Sequence, residues 1–422
     1  MQGINQKGPI SRRSLLGAAA AAISAGVVMD RSAFAQGRTS IQKGDMGHSA
    51  SNPGPINKAI AGENPNSQLP PSTDKGNVSP FWYSFDLAHR RIQDGGWTRQ
   101  VTAAQLPTST DLAGVNMRLT AGSYRELHWH TANEWAYMLY GNARVTVLNP
   151  DGTIFIGDVT EGDLWYFPGG YPHSLQGLGP DGCEFLLVFD DGAFSEYTTF
   201  LISGWLAHTP GEMLSKNCKL PEAALHSLPN QEGLEALYIF PGTVPGPLED
   251  DRKAVGGVAV ASKTDYTFRM KSMTPTVQTS GGDARVVDSS VFTPSKGIAS
   301  ALVRIKPGGV REMHWHPNAS EWQYYISGSG RMTVFASSGN AQTMNFNAND
   351  VGYVPRVAGH CIENTGREDL VFLEMFKSSY YADFSLNQWI RRLPPLIAKE
   401  HLQLAAADIA RIPDRKEVVI GR

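Results

Sequence analysis

Two short stretches hold most of the chemistry available to this sequence. RELHWHTANEW, Arg125 to Trp135, and REMHWHPNASEW, Arg311 to Trp322, each set two histidines one residue apart with a glutamate soon after. Imidazole nitrogens and a carboxylate oxygen together suit a divalent transition ion such as manganese or iron better than calcium or a structural zinc. In a strand, residues two apart share a face. His128 and His130 are therefore expected to project together with Trp129 opposite, and His314 and His316 with Trp315 opposite. A turn and a neighbouring strand would bring in Glu134 or Glu321. GDLWYFPGGYPHS and NDVGYVPRVAGHC then supply His173 and His360, each after a Pro-containing turn. Three imidazoles and one carboxylate leave an octahedral ion two open positions, the arrangement of a catalytic site. The two tryptophans are expected to pack, at a contact between domains or between subunits.

The elements that must position these residues also come in two copies. His128 to His314 is a step of 186, while Glu134 to Glu321, Gly141 to Gly328 and His173 to His360 are each 187, so one inserted residue accounts for the difference. Six of the 11 histidines occupy duplicated positions, which points to an internal repeat and two metal ions per chain. Alternating runs such as ARVTVLN and GRMTVFA, broken by Gly and Asp turns, predict strands. FLISGWLAHTPGEMLSKNC and SLNQWIRRLPPLIAKEHLQLAAADIARI carry helical spacing, so the order is strands then helices, twice. The helical segments are available for subunit contacts and predict a homo-oligomer.

Composition bounds the rest. A chain of 422 residues with 41% hydrophobic content fills two cores, and the high Gly (43) and Pro (26) suit short strands and tight turns. A net charge of -3 with scattered basic residues gives no footprint for nucleic acid. Cys183, Cys218 and Cys361 form no CxxC pair and no even-numbered framework, which leaves disulfides and thiolate ligands out of the organisation. Arg12 and Arg13 before the apolar run Leu15 to Met29, with AFAQ following, predict a twin-arginine export signal over 1–35 and a periplasmic or secreted protein. That run is too short to span a bilayer comfortably, so no stable membrane anchor is expected. The expected layout continues with an extended arm over 36–80, a first domain over 81–230, a linker over 231–270 and a second domain with C-terminal helices over 271–422.

The ligand pattern resembles the two motifs of the cupin family. Gly122, His128, His130, Glu134 and Gly141, then Gly162, Pro168, Gly170 and His173, match in the first copy. In the second, Gly308, His314, His316, Glu321 and Gly328 match, followed by Pro355, His360 and Asn364. Gly177 stands where the motif prefers Asn, and Asn349 and Val357 where it prefers Gly; none of these departures removes a ligand. The fold so implied is all-β, two tandem double-stranded β-helix (jelly-roll) barrels, each followed by short helices.

Longer segments, among them EWAYMLYGNARVTV, FLLVFDDGAFSE, WLAHTP, EWQYYISG and YADFSLNQW, are similar to the bicupin oxalate decarboxylases over most of the chain from about Ser79 to beyond Trp389. That resemblance implies cleavage of oxalate to formate and carbon dioxide on manganese, with dioxygen required. It also implies that Arg125 holds the uncoordinated carboxylate through its fork. The odd offset from His128 would aim Arg125 away from the metal in a regular strand, and a turn at the strand start leaves that parity open. Glu196, in DDGAFSEYTTF, stands where the family carries a lid glutamate that protonates carbon; taken without the resemblance it reads as a solvated loop residue. Ser195 agrees with the family, while Tyr197 and Thr198 replace Asn and Ser. In the second copy Glu374, set against Phe189 by an alignment with one gap, is a rival acid beside Arg311 or a group satisfying the core. The alternatives are an oxalate oxidase, favoured by an open lid, and a non-catalytic metal-binding bicupin.

Overall fold

The strands form because their sequences alternate side chains that find apolar cover on both faces. In a computed structural model, which describes residues 55–65, 71–228 and 238–422, two β-barrels sit side by side. Phe185 and Leu187 of the strand Cys183–Phe189 point into the first barrel with Ala136 and Met138. The intervening Leu186 and Val188 join Trp135, Tyr137 and Tyr166 in an apolar layer shared with Trp322, Tyr324, Tyr353, Leu373 and Met375 of the second barrel. The near-continuous apolar run FLLVF is what a strand buried on both faces requires. At the layer's centre, a Cβ built on Gly114 would come within 2.5 Å of the Trp322 ring, so glycine there lets the indole reach the other barrel.

The two barrels use the same register. Phe189 pairs with Glu134, and Phe376 pairs with Glu321, in matching seven-residue strands Cys183–Phe189 and Leu370–Phe376. The first barrel keeps one 15-residue strand, Glu134–Leu148, that bends at Gly141 and joins both faces into a 13-stranded sheet. The second barrel breaks the equivalent strand at Gly328 into Glu321–Ser327 and Ser329–Phe335, giving sheets of seven and six strands. Both glycines have positive φ, 74° and 83°, and a side chain on Gly141 would meet the Gly182 carbonyl at 2.0 Å.

The barrels exchange their edge strands, which revises the expected boundaries. Trp82–Ser84 lies at the start of the first domain in sequence but pairs with Asp350–Val354 of the second barrel. Thr267–Phe268, inside the expected linker, pairs with Leu164–Phe167 of the first. The linker also gives Ile239–Phe240 to the strand Tyr124–Arg125, and the C-terminal Val419–Ile420 plays the same part beside Arg311 and Val310. The arm carries a short helix, Lys58–Glu63, and lies on the second barrel: Asp74 accepts from Thr343, and Lys75 bridges to Ala341. The expected helical segment after the first barrel forms Ile202–Ala207 and Gly211–Cys218, and a further short helix, Glu222–Leu225, lies beyond it. Leu386–Arg392, Pro395–Leu402 and Ala406–Ile409 follow the second. Among the described residues no helix is long and apolar enough to cross a membrane. The proposed signal, residues 1–35, lies outside the described residues.

Candidate active site

Each barrel gathers its four expected ligands. His128, His130, Glu134 and His173 are all buried with ligand atoms within 4.8 Å of one another, and His314, His316, Glu321 and His360 repeat the cluster. Strand pairing does the gathering, since His173 stands opposite His128 and His360 opposite His314. The backbone then fixes the rings. In the first cluster Nδ1 of His128, His130 and His173 donates to the carbonyls of Glu126, Ala132 and Tyr171 at 2.6, 2.7 and 2.8 Å. In the second, Nδ1 of His314, His316 and His360 donates to Glu312, Ala382 and Ala358 at 2.7, 2.8 and 3.1 Å. Every Nε2 is thereby left facing inward as a lone-pair donor, the orientation a metal-bound histidine takes.

The electrostatics suit a cation that the protein does not itself supply. Burial, with Arg125 and the neighbouring rings, pushes His128 well below the usual imidazole range, and burial also lowers His173. Burial alone would raise the Glu134 carboxyl, but the adjacent imidazoles of His130 and His173 outweigh it and hold the group ionised. Glu321 is held low in the same way, against burial, by His360 and His316. Nε2 of His173, His314 and His316 is buried without a hydrogen-bond partner. Neutral imidazoles, one carboxylate and orphaned nitrogens converging on one point fit a divalent transition ion in both barrels.

The carboxylate ligand is steadied differently in each barrel. Trp165 Nε1 donates to Glu134 Oε1 at 2.9 Å, whereas Gln323 Nε2 donates to Glu321 Oε1 at 2.6 Å. Ala136 stands opposite Trp165 and Gln323 opposite Gly352, so the donor has moved to the paired strand while the bond persists.

Both arginines face their metal centres despite the odd offset. From Arg311 to His314 is three residues, but their partners Ile362 and His360 are two apart, so a one-residue bulge restores the parity. The first barrel carries the same irregularity: Tyr124 to His128 spans four residues against three from Gln176 to His173. There the resemblance between the two arginines ends. Arg125 is buried over the Tyr238 ring, gives Nη1 to the Tyr238 carbonyl at 3.2 Å, and keeps Nη2 buried without a partner. Arg311 gives Nε to Glu374 at 3.0 Å and Nη2 to Tyr381 at 2.7 Å and to Asp383 at 3.1 Å, all of them buried or nearly so. Burial lowers the Arg125 pKa, while the carboxylates around Arg311 overcome burial and raise it.

Glu196 is not a solvated loop residue. It opens a short 3-10 turn, Glu196–Thr198, capped by Ser195, and only 6% of it is exposed. Thr98 Oγ1 donates to its carboxylate at 2.6 Å, and its backbone N–H donates to Gln100 at 3.2 Å. Burial raises its pKa, against the pull of Thr98, Arg125 and Tyr238, so the carboxyl group holds a proton more readily than an ordinary glutamate.

Glu374 corrects the sequence alignment. The pairing sets Phe376 against Phe189 and therefore Glu374 against Leu187, two residues from the expected position. The nearer counterpart of Glu196 is Asp383, also bonded to Lys416 and placed on a connection three residues shorter, since Phe200 pairs with Trp129 and Phe384 with Trp315. A step of 187 from Glu196 would have found it. Tyr238, Thr98 and Lys416 were missed as well, because each comes from a distant segment and is of a common type. Trp129 packs on Phe200 and Trp205, and Trp315 on Phe384 and Trp389, so each fastens its barrel to the helix that follows.

Two barrels, each with a buried three-histidine, one-glutamate centre, define a bicupin. The cupin family profile matches residues 84–224 and 268–410, and the chain belongs to that family. The oxalate decarboxylase OxdC of Bacillus subtilis (strain 168) is 52% identical over 81% of this chain and 87% of its own. A probable oxalate decarboxylase of Arthroderma benhamiae is 40% identical over 83% of this chain and 85% of its own. Solved structures of the Bacillus subtilis protein superpose with a TM-score of 0.83 at 49% identity, covering 87% of this chain and 96% of theirs. One of those structures belongs to a study of its Mn(II) centres.

Proposed function

We infer that the chain is an oxalate decarboxylase, dependent on manganese and dioxygen, that turns over at its first centre. The observation that carries this is the pairing of Arg125, with a buried unpartnered Nη2, and the inward-turned Glu196 beside one metal cluster. His128, His130, Glu134 and His173 would hold the manganese. Bound there, manganese supplies a Lewis acid for one carboxylate and, with dioxygen, one-electron chemistry.

The chain's own residues do the rest. Nη2 of Arg125 is a charged donor with no partner in the protein, which suits it to the second carboxylate of a small dianion. Tyr238 lies under the guanidinium and fixes its plane. When carbon dioxide departs, the remaining carbon must gain one proton to become formate. Glu196, its pKa raised by burial, is the proton source, and Thr98 aims it. Without that proton, the same carbon is oxidised to a second carbon dioxide and dioxygen leaves as hydrogen peroxide.

The second centre has the ligands, but Nε and Nη2 of its arginine are already taken by Glu374, Tyr381 and Asp383. We assign it manganese binding without a comparable share of turnover. Export through the twin-arginine pathway to the periplasm or beyond rests on Arg12, Arg13 and the apolar run after them. Assembly into a homo-oligomer is supported by Trp205, Trp389, Leu396 and Ile397, all more than half exposed on the helices after the barrels.

The test is product partition. Protein from Gln36 to Arg422, loaded with manganese, is given oxalate in air, and formate and hydrogen peroxide are measured together. Formate in large excess supports the decarboxylase; peroxide in excess makes the protein an oxidase; neither product leaves a metal-binding bicupin.

A further inference from the structure

The lid carries a second grip besides the bonds to Glu196. Tyr197, next in sequence, is half exposed, and the Arg91 guanidinium lies over its ring at 5.7 Å from the centroid. The same guanidinium lies 4.8 Å from the centroid of Tyr238, the ring that supports Arg125. Arg91 thus connects the lid with the wall of the site. Its placement is not incidental: Arg91 stands directly opposite Thr98 on the hairpin formed by Arg91–Gln93 and Gly96–Val101. Opposite residues of an antiparallel pair project to the same side. One cross-strand pair therefore holds two consecutive lid residues, Thr98 the Glu196 carboxylate and Arg91 the Tyr197 ring. Two more hairpin side chains close the arrangement. Gln100 accepts from the Glu196 N–H, and Gln93 accepts from the N–H groups of Tyr238 and Ile239 at 3.0 and 2.8 Å.

We propose that Arg91 and Tyr197 form a clasp that keeps the lid closed with Glu196 over the reacting carbon, and so set the ratio of formate to peroxide. Both are positioning residues, and the assignment of products rests on the decarboxylase reading above. A cation over a partly exposed aromatic ring contributes on the order of 0.5–1 kcal/mol, which corresponds to a two- to fivefold change in the open population. The clasp therefore tunes partition without deciding whether turnover occurs.

The experiment compares Tyr197→Ala, Tyr197→Phe, Arg91→Met and the double variant Arg91→Met/Tyr197→Ala as manganese-loaded full-length mature protein with oxalate in air. Tyr197→Ala and Arg91→Met are expected to raise the peroxide-to-formate ratio by about two- to fivefold with little change in KM, while Tyr197→Phe keeps the wild-type ratio. The double variant should be no worse than the more affected single variant, because the two groups act as a pair. Unchanged ratios in both single variants, or a strictly additive double, would overturn the clasp. Amide hydrogen exchange of the lid segment gives a readout independent of chemistry. Exchange at residues 194–199 should rise in Arg91→Met even if the wild type makes neither product, and unchanged exchange would overturn the clasp separately from the decarboxylase reading.

Discussion

Arg311 Nε donates to Glu374 Oε1 at 3.0 Å, and neither side chain has any exposed surface. Leu187 holds the corresponding place in the first barrel, so Arg125 meets no carboxylate from that strand. Glu374 takes Nε of Arg311, while Tyr381 and Asp383 take the Nη2 whose equivalent on Arg125 has no partner. A buried charge pair is costly to half remove, because the remaining ion loses its compensation.

Glu374→Leu, which copies the first barrel, should therefore destabilise the protein by roughly 3 kcal/mol in urea unfolding. Formate production per folded chain should be retained within about twofold, since Arg125 and Glu196 are untouched. Loss of activity in proportion to metal-loaded, folded protein at the second centre would instead place turnover there.

Glu196→Gln keeps the shape of the lid residue and removes its proton. Formate production is expected to fall by about 10²–10³, with the residual flux appearing as peroxide. Survival of full formate production would remove Glu196 as the acid.

The pH profile follows from the direction of the Glu196 shift. Protonated Glu196 is the active form, and burial has raised its pKa above the ordinary 4.5, so formate production should decline as pH rises through that elevated value. Thr98 donates to the carboxylate and favours the ionised form. Thr98→Val should therefore move the declining limb to higher pH in kcat against pH, whereas an unchanged limb would assign it to another group.

Much of the site was legible because metal binding restricts residue type and the repeat checks the register. Eight ligands from two classes, at steps of 186 and 187, leave little freedom. What escaped has a physical reason in each case. Tyr238 reaches Arg125 across 113 positions, and Thr98 reaches Glu196 across 98, with no periodic pattern to mark either. The exchanged edge strands Trp82–Ser84 and Thr267–Phe268 are two or three residues long, too short for alternation to announce them. Glu374 was misplaced because a gap was admitted before the last strand, where the step of 187 held by Glu134, Gly141 and His173 continues unbroken to Leu187 and Glu374.

The inter-barrel layer gives a test of the fold itself. Gly114→Ala would drive a methyl to 2.5 Å from the ring of Trp322, which is fully buried and has nowhere to turn. The variant should lose about 1–3 kcal/mol of stability by overpacking. Ser300 is the counterpart one repeat later, pairing with Met375 as Gly114 pairs with Val188; Ser300→Ala there creates no such clash and should shift unfolding mainly through loss of the hydroxyl's bond to the Val287 carbonyl.

The steadying of the metal carboxylate offers a test that uses one barrel to repair the other. Trp165 donates to Glu134 from the strand opposite Ala136, while Gln323 donates to Glu321 and faces Gly352, where a Cβ would come within 2.5 Å of the amide oxygen. Glutamine at that position therefore demands glycine across the pair. Trp165→Gly should weaken manganese binding at the first centre by about 10–100-fold and leave the second unchanged, as seen in metal titration followed by spin resonance. Trp165→Gly with Ala136→Gln transplants the second barrel's solution and should recover most of that affinity. Recovery would show that the hydrogen bond matters and the indole does not, whereas failure would mean that the Trp165 ring, packed on Phe185 and Phe167, holds the strand that carries the ligands.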